Sequence, residues 1–177
     1  NLPIMIITTD IDPNTNAPYE IPDEPKILAT MQLIFRPDGS RNYLTDITND
    51  SFLNYNGRVG IELRGSSSQV LDKKPYGFTT LLDDNESNNN VSLLGMPSEN
   101  DWVLNSLAYD PSMIRDYLSY TLAANMGNYA PRVKYIEVIV NDDYKGVYIL
   151  TEKIKRDSDR VNLKKIDDED IDFPEVT

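Results

Sequence analysis

VKYIEVIVNDDYKGVYILTEKI, residues 133–154, decides the fold class. Val133–Val140 and Tyr144–Ile154 are β-branched and aromatic runs, Asn141-Asp142-Asp143 between them is a turn signal, and Gly146 follows close behind. The spacing predicts a β-hairpin. Just upstream, Asp110 offers a helix N-cap and Pro111 the first helical position. Ile114, Leu118, Thr121, Leu122 and Met126 then recur at intervals of three and four, with Tyr117 beside them, and Gly127 supplies a stop. This stripe predicts a packed helix over 111–126, with Trp102 as a core anchor beneath it. Further out, Leu2–Thr9, Lys26–Phe35, Arg58–Arg64 and Lys74–Leu82 read as strands, with Val59, Ile61 and Leu63 sharing one face. Asn56-Gly57 reads as a tight turn between antiparallel strands, and Asp10–Pro25 and Asp83–Asn90 as polar loops. The order is strands, one main helix, strands: an α+β pattern in a single domain.

Composition narrows the chemistry. The 177 residues carry 17 basic and 29 acidic side chains, a net charge of −12, with no Cys and no His. Disulfides, thiolate nucleophiles, Cys-ligated zinc, Ser-His-Asp triads and imidazole bases are therefore excluded. What remains is carboxylate, Lys, Arg and Tyr chemistry, or an oxygen-ligated metal. So negative a chain is not expected to bind nucleic acid, which needs basic patches to displace counterions. Leu2–Ile7 is too short for a membrane span. The chain starts at Asn1 and enters a strand at once, which reads as a processed or trimmed start.

Four features carry candidate chemistry. Arg64-Gly65-Ser66-Ser67-Ser68 follows a strand, and small residues there let backbone N–H groups turn toward one point, as in a phosphate cradle. A plain surface turn would look the same. Lys73-Lys74 opens the next strand, and alternation places Lys74 on the face of Tyr76 and Phe78. An ammonium there needs an anion, a carboxylate or a ligand phosphate, unless both lysines are solvated. Glu152 shares a face with Tyr148 and Leu150, which calls for a cation such as Lys74 or for exposure at a sheet edge. The run Asp167-Asp168-Glu169-Asp170-Asp172 lacks the spacing of a calcium loop and reads as a solvated tail.

These same residues carry a resemblance. Arg64-Gly65-Ser66-Ser67-Ser68 with Lys73-Lys74-Pro75-Tyr76-Gly77-Phe78 resembles a segment of the CotH spore-coat kinase family. Asp101-Trp102-Val103-Leu104 with Tyr109-Asp110-Pro111-Ser112-Met113-Ile114-Arg115-Asp116, and the hairpin Asn141–Ile154 followed by Val161-Asn162-Leu163, resemble later segments in the same order. The resemblance implies an atypical protein-kinase-like fold, bacterial and extracytoplasmic (secreted or cell-surface), that phosphorylates Ser residues of proteins with ATP and Mg or another divalent metal. It implies that Lys74, or Lys73, contacts the α/β-phosphates, that Glu152 pairs with that lysine, and that residues 64–68 lie on the phosphate side of the nucleotide. The family's catalytic and metal-binding aspartates belong to a later segment with no counterpart before Thr177. The expectation is therefore the nucleotide-binding portion of a longer protein, with its catalytic Asp outside this chain and little activity alone. A non-catalytic extracellular binding or structural module with the same fold is the alternative.

Overall fold

The computed structural model describes residues 1–164. Its strands are β1 (Ile4–Thr9), β2 (Ile11–Asp12), β3 (Ala17–Pro18), β4 (Ile27–Ile34), β5 (Leu53–Leu63), β6 (Tyr76–Leu81), β7 (Asp101–Asn105), β8 (Val133–Val140) and β9 (Asp143–Glu152), with one α-helix among the described residues, α1 (Arg115–Asn125). The decisive hairpin forms as expected. Asn141 and Asp142 take φ of 49° and 64°, the paired left-handed conformation that a right-twisted two-residue turn requires. Gly146, at φ 90°, lies opposite Val138 where the register shifts to Tyr144 opposite Ile139, so the bulge needs a residue free of Cβ strain.

Seven strands close into a barrel in the order β1-β4-β5-β6-β7-β9-β8, and β2 and β3 form a separate small hairpin. Neighbours pair antiparallel except β1 and β8, which run parallel from Ile4 opposite Glu137 to Ile7 opposite Val140. Alternation sends one set of side chains inward. Met5, Ile7, Met31, Leu33, Val59, Ile61, Phe78, Trp102, Leu104, Ile136, Val138, Tyr148 and Leu150 fill the interior and are all but inaccessible.

This architecture corrects the expected fold class. It is a mostly-β closed barrel, not an α+β, protein-kinase-like fold built on a main helix. The physical reason lies in β1, which pairs with β4 on one side and β8 on the other, joining the two ends of the sheet. A sheet closed on itself buries its own apolar face, leaving no inner face for a helix to cover.

The helix itself is shorter than the expected 111–126, and its stripe is not packed. Its N-cap is Ile114 and not the expected Asp110, which instead holds the preceding turn, accepting from the Arg115 N–H at 2.9 Å and the Ser112 N–H at 3.1 Å. Met113 at φ 57° breaks the helical path, so regular turns begin only at Arg115. Ile114, Leu118, Leu122 and Met126 are exposed, and α1 has no buried residue. Among its contacts with the barrel is Tyr117, whose ring stacks on Tyr135 with centroids 4.9 Å apart. Asn56-Gly57 is likewise no turn but the middle of β5. A Cβ at Gly57 would stand 2.9 Å from the Tyr55 hydroxyl, which folds back along its own strand to donate to the Arg58 carbonyl. Trp102 is the anchor expected, though inside the barrel on β7 rather than under the helix.

Candidate functional site

β5 ends at Leu63, and the Arg64 N–H donates to the Pro75 carbonyl, so the chain between them forms a closed excursion. Gly65, at φ 89°, opens it. A Cβ there would fall 2.3 Å from Ser68 Oγ, so the turn fits only glycine. Ser67–Val70 make a short 3-10 turn, and two outside groups steady it: Lys74 Nζ donates to the Gln69 carbonyl at 2.6 Å, and Tyr109 Oη to the Ser67 carbonyl at 3.0 Å. Lys73 turns the other way, with its ammonium on the Val147 carbonyl and 4.6 Å from the centroid of the Tyr148 ring.

The segment after β7 faces this turn. Asn105 Nδ2 donates to Asp116 Oδ2 at 2.7 Å, tying the end of the strand to the first turn of α1. Hydrogen bonds from the Ser112 hydroxyl and the Arg115 N–H hold the Asp110 carboxyl below the usual carboxylate range. Between the two walls lies a cleft of about 410 Å³, lined by Arg64, Gly65, Ser68 and Pro75 on one side and by residues 105–110, Arg115 and Asp116 on the other. Two sequence motifs, the 64–68 turn and the Asp110–Arg115 stretch, thus meet at one place. Arg64 also borders a smaller neighbouring groove that reaches Thr151 and Glu152. Its side chain crosses β6 over Gly77, where a Cβ would stand 3.9 Å from Arg64 Cδ.

Glu152 takes different partners from the one expected. It lies on the inner face at the end of β9, opposite Trp102, with its side chain wholly inaccessible. Its carboxylate accepts from Arg132 Nη1 at 2.9 Å and the Arg132 N–H at 3.1 Å, and Arg160 Nε stands 3.2 Å away. Lys74 is not among these partners: Lys73 and Lys74 meet β9 earlier, at Val147 and Tyr148. The need for a buried cation was legible; the cation was not.

A family model described as CotH kinase protein matches residues 61–173. This chain belongs to the CotH kinase family. No curated protein matches it at a significant level.

In this CotH domain, Arg160 begins a chain of linked charges. Its Nη1 lies 3.5 Å from Glu99, Glu99 takes Lys155 at 2.7 Å, and Lys155 also holds Asp101 at 2.8 Å. Lys26 extends the line to Asp101 at 3.7 Å and Glu62 at 3.9 Å. Sequence reading missed Arg132, Arg160, Glu99 and Lys155, because pairing across a barrel leaves no period in the sequence. Burial pushes the Glu99 and Asp101 carboxyls up, but hydrogen bonds and charge from Lys155, with further donors, hold both below their ordinary values. Carboxyls held low stabilise the fold fully above the unfolded pKa of about 4, and that contribution is lost as pH falls through the lower folded values. The urea midpoint should therefore be flat from about pH 7 to 5 and decline below about pH 4, with a shallower decline in Lys155→Met. A midpoint rising on acidification would contradict this arrangement.

Among the described residues, no three acidic side chains gather closely enough to hold a metal ion, and no helix is long and apolar enough to cross a membrane. The acidic run Asp167–Asp172 lies outside the described residues.

Proposed function

We propose that this CotH domain binds ATP in the cleft between the 64–68 turn and the 105–116 segment, and that it serves phosphoryl transfer to Ser side chains of a protein substrate. One observation carries the reading: the small-residue turn and two guanidinium-bearing residues, Arg64 and Arg115, line a single concave site. Its volume of about 410 Å³ falls among small-molecule sites, roughly 300–1,000 Å³. Guanidinium groups and a turn without bulky side chains suit phosphate oxygens. On this reading Arg64, Gly65 and Ser68 contact phosphates, and Ser66 and Ser67 shape the turn. Lys74 acts by holding that turn through Gln69, while Lys73 and Glu152 support the barrel.

The divalent ion that the family implies finds no ready ligands here. The Asp110 carboxylate is engaged by Ser112 and Arg115, and that of Asp116 by Asn105. No residue is assigned to it, and the transfer step itself is not assigned to groups of this cleft.

Thermal melting with and without magnesium-ATP tests the reading. ATP at about 100 times its Kd stabilises the folded state by roughly 2.7 kcal/mol, a rise of about 5–10 °C for a domain of this size. Arg64→Ala should remove most of that rise while leaving the unliganded melting temperature nearly unchanged. Lys74→Ala should reduce it less. Unchanged melting of the wild-type chain with ATP would remove the nucleotide from this cleft and favour the non-catalytic module.

A further inference from the structure

Residues 117–131 contain no charged side chain, in a chain of which 26% is charged. α1 occupies most of this stretch and has two apolar sides. One is turned to the barrel: Tyr117, Tyr120, Thr121 and Ala124 line a groove with Pro131 and Val133, and Tyr117 stacks on Tyr135. The other carries Ile114, Leu118, Leu122 and Met126, which are 50–76% exposed. At 3.6 residues per turn, a step of four advances only about 40° round the helix, so these four side chains form one ridge. One position on, the next row runs Arg115, Ser119, Ala123 and Gly127. After its first member it holds nothing larger than Ser, so a shallow groove runs beside the ridge.

A ridge and a groove of the same i, i+4 pitch on one helix are complementary to a second copy of that helix. Two such helices interlock at a crossing angle of about −50°, and a two-fold axis lets each ridge lie in the other's groove. Antiparallel packing also sets the two helix dipoles in opposition, which favours the pair. Charge selects the same face. Each copy carries −12, so copies repel one another, and approach costs least where charged side chains are missing. A continuous exposed apolar row is moreover the mark of an interaction surface.

We propose that α1 is a self-association surface on which two copies of this chain pack antiparallel, with Leu118 and Leu122 at the two-fold axis and Ile114 and Met126 at the ends of the contact. The pairing does not depend on the nucleotide reading. One helix per copy gives an interface at the small end of specific contacts, below about 1,200 Å² in total, so the dimer is weak, with a Kd on the order of 10–100 μM.

Sedimentation equilibrium of the 177-residue chain across that concentration range tests this. Wild type should pass from monomer to dimer, and added salt should tighten the dimer by screening the repulsion between two negative copies. Leu122→Glu should weaken association by about tenfold or more, because two carboxylates are brought together in an apolar contact. Its melting temperature should match wild type, since the side chain is half exposed. Ser119→Leu makes the surface more apolar but fills the groove. It should weaken a ridge-in-groove pair by about fivefold or more, whereas it would strengthen unspecific apolar contact. A chain that stays monomeric throughout the range would overturn the proposal. Association indifferent to Leu122→Glu would overturn it by moving the contact to another face, and tighter association of Ser119→Leu would overturn the matched packing. Association weakened by salt would point to charge pairing instead and overturn it as well.

Discussion

Arg160→Met will lower the unfolding free energy of this domain by about 3 kcal/mol, a fall in melting temperature of roughly 6–12 °C. The guanidinium is 3% exposed, and its removal leaves the inaccessible Glu152 and the 5%-exposed Glu99 each short of one cation. Glu152 keeps Arg132 and Glu99 keeps Lys155, which holds the loss at the low end of the range for a broken buried pair. Converting Glu152→Leu in the same chain should recover part of the loss, because an uncompensated charge then leaves the interior. A double-mutant cycle between Arg160 and Glu152 should return a coupling of about 1–3 kcal/mol, whereas the cycle between Lys74 and Glu152 should return less than about 0.5 kcal/mol. The reverse pattern would restore the lysine–glutamate pair expected from sequence.

The larger effect belongs to Trp102→Ala, which should cost about 3–5 kcal/mol. The indole is 1% exposed inside the barrel, opposite Phe78 on β6 and Glu152 on β9. Its neighbours cannot close the gap, because each is held at its spacing by backbone ladders on both sides. Against a total stability of roughly 5–15 kcal/mol, this single change takes about a fifth or more. Because Trp102 is the chain's only tryptophan, urea unfolding should be followed by circular dichroism. A loss below about 1 kcal/mol would mean that the interior repacks freely, contrary to the closed ladder.

Local rules were legible wherever the decisive partner lay close in sequence. The 133–154 hairpin and its turn, the alternation of Val59 and Ile61, and the small-residue turn at 64–68 all stand where the residues put them. Long-range closure was not legible, and it changed the fold class. Nothing in Leu2–Thr9 announces a parallel partner more than a hundred residues away, yet that pairing turns the sheet into a barrel. The closure also explains the helix. A three-four stripe signals burial only where a second surface is available, and Ile114, Leu118 and Leu122 stay about half exposed. Asn56-Gly57 misled for a smaller reason: the glycine makes room for the Tyr55 ring instead of turning the chain. In the cleft, the two motif stretches were each visible, but their meeting across Tyr109 and Ser67 depends on the closed barrel.

The barrel also sets what can be cut from this protein. The family match begins at residue 61, but β1, β4 and most of β5 precede it. A fragment trimmed to the match would keep β6, β7, β9 and β8 and lose the staves that join β6 back to β8. Both would then be edges, with rows of unpaired N–H and C=O groups flanking an uncovered apolar face. Such edges recruit further strands, so the trimmed piece would self-associate into sheets instead of standing alone. The N-terminal third, outside the family match, is what keeps this fold from polymerising.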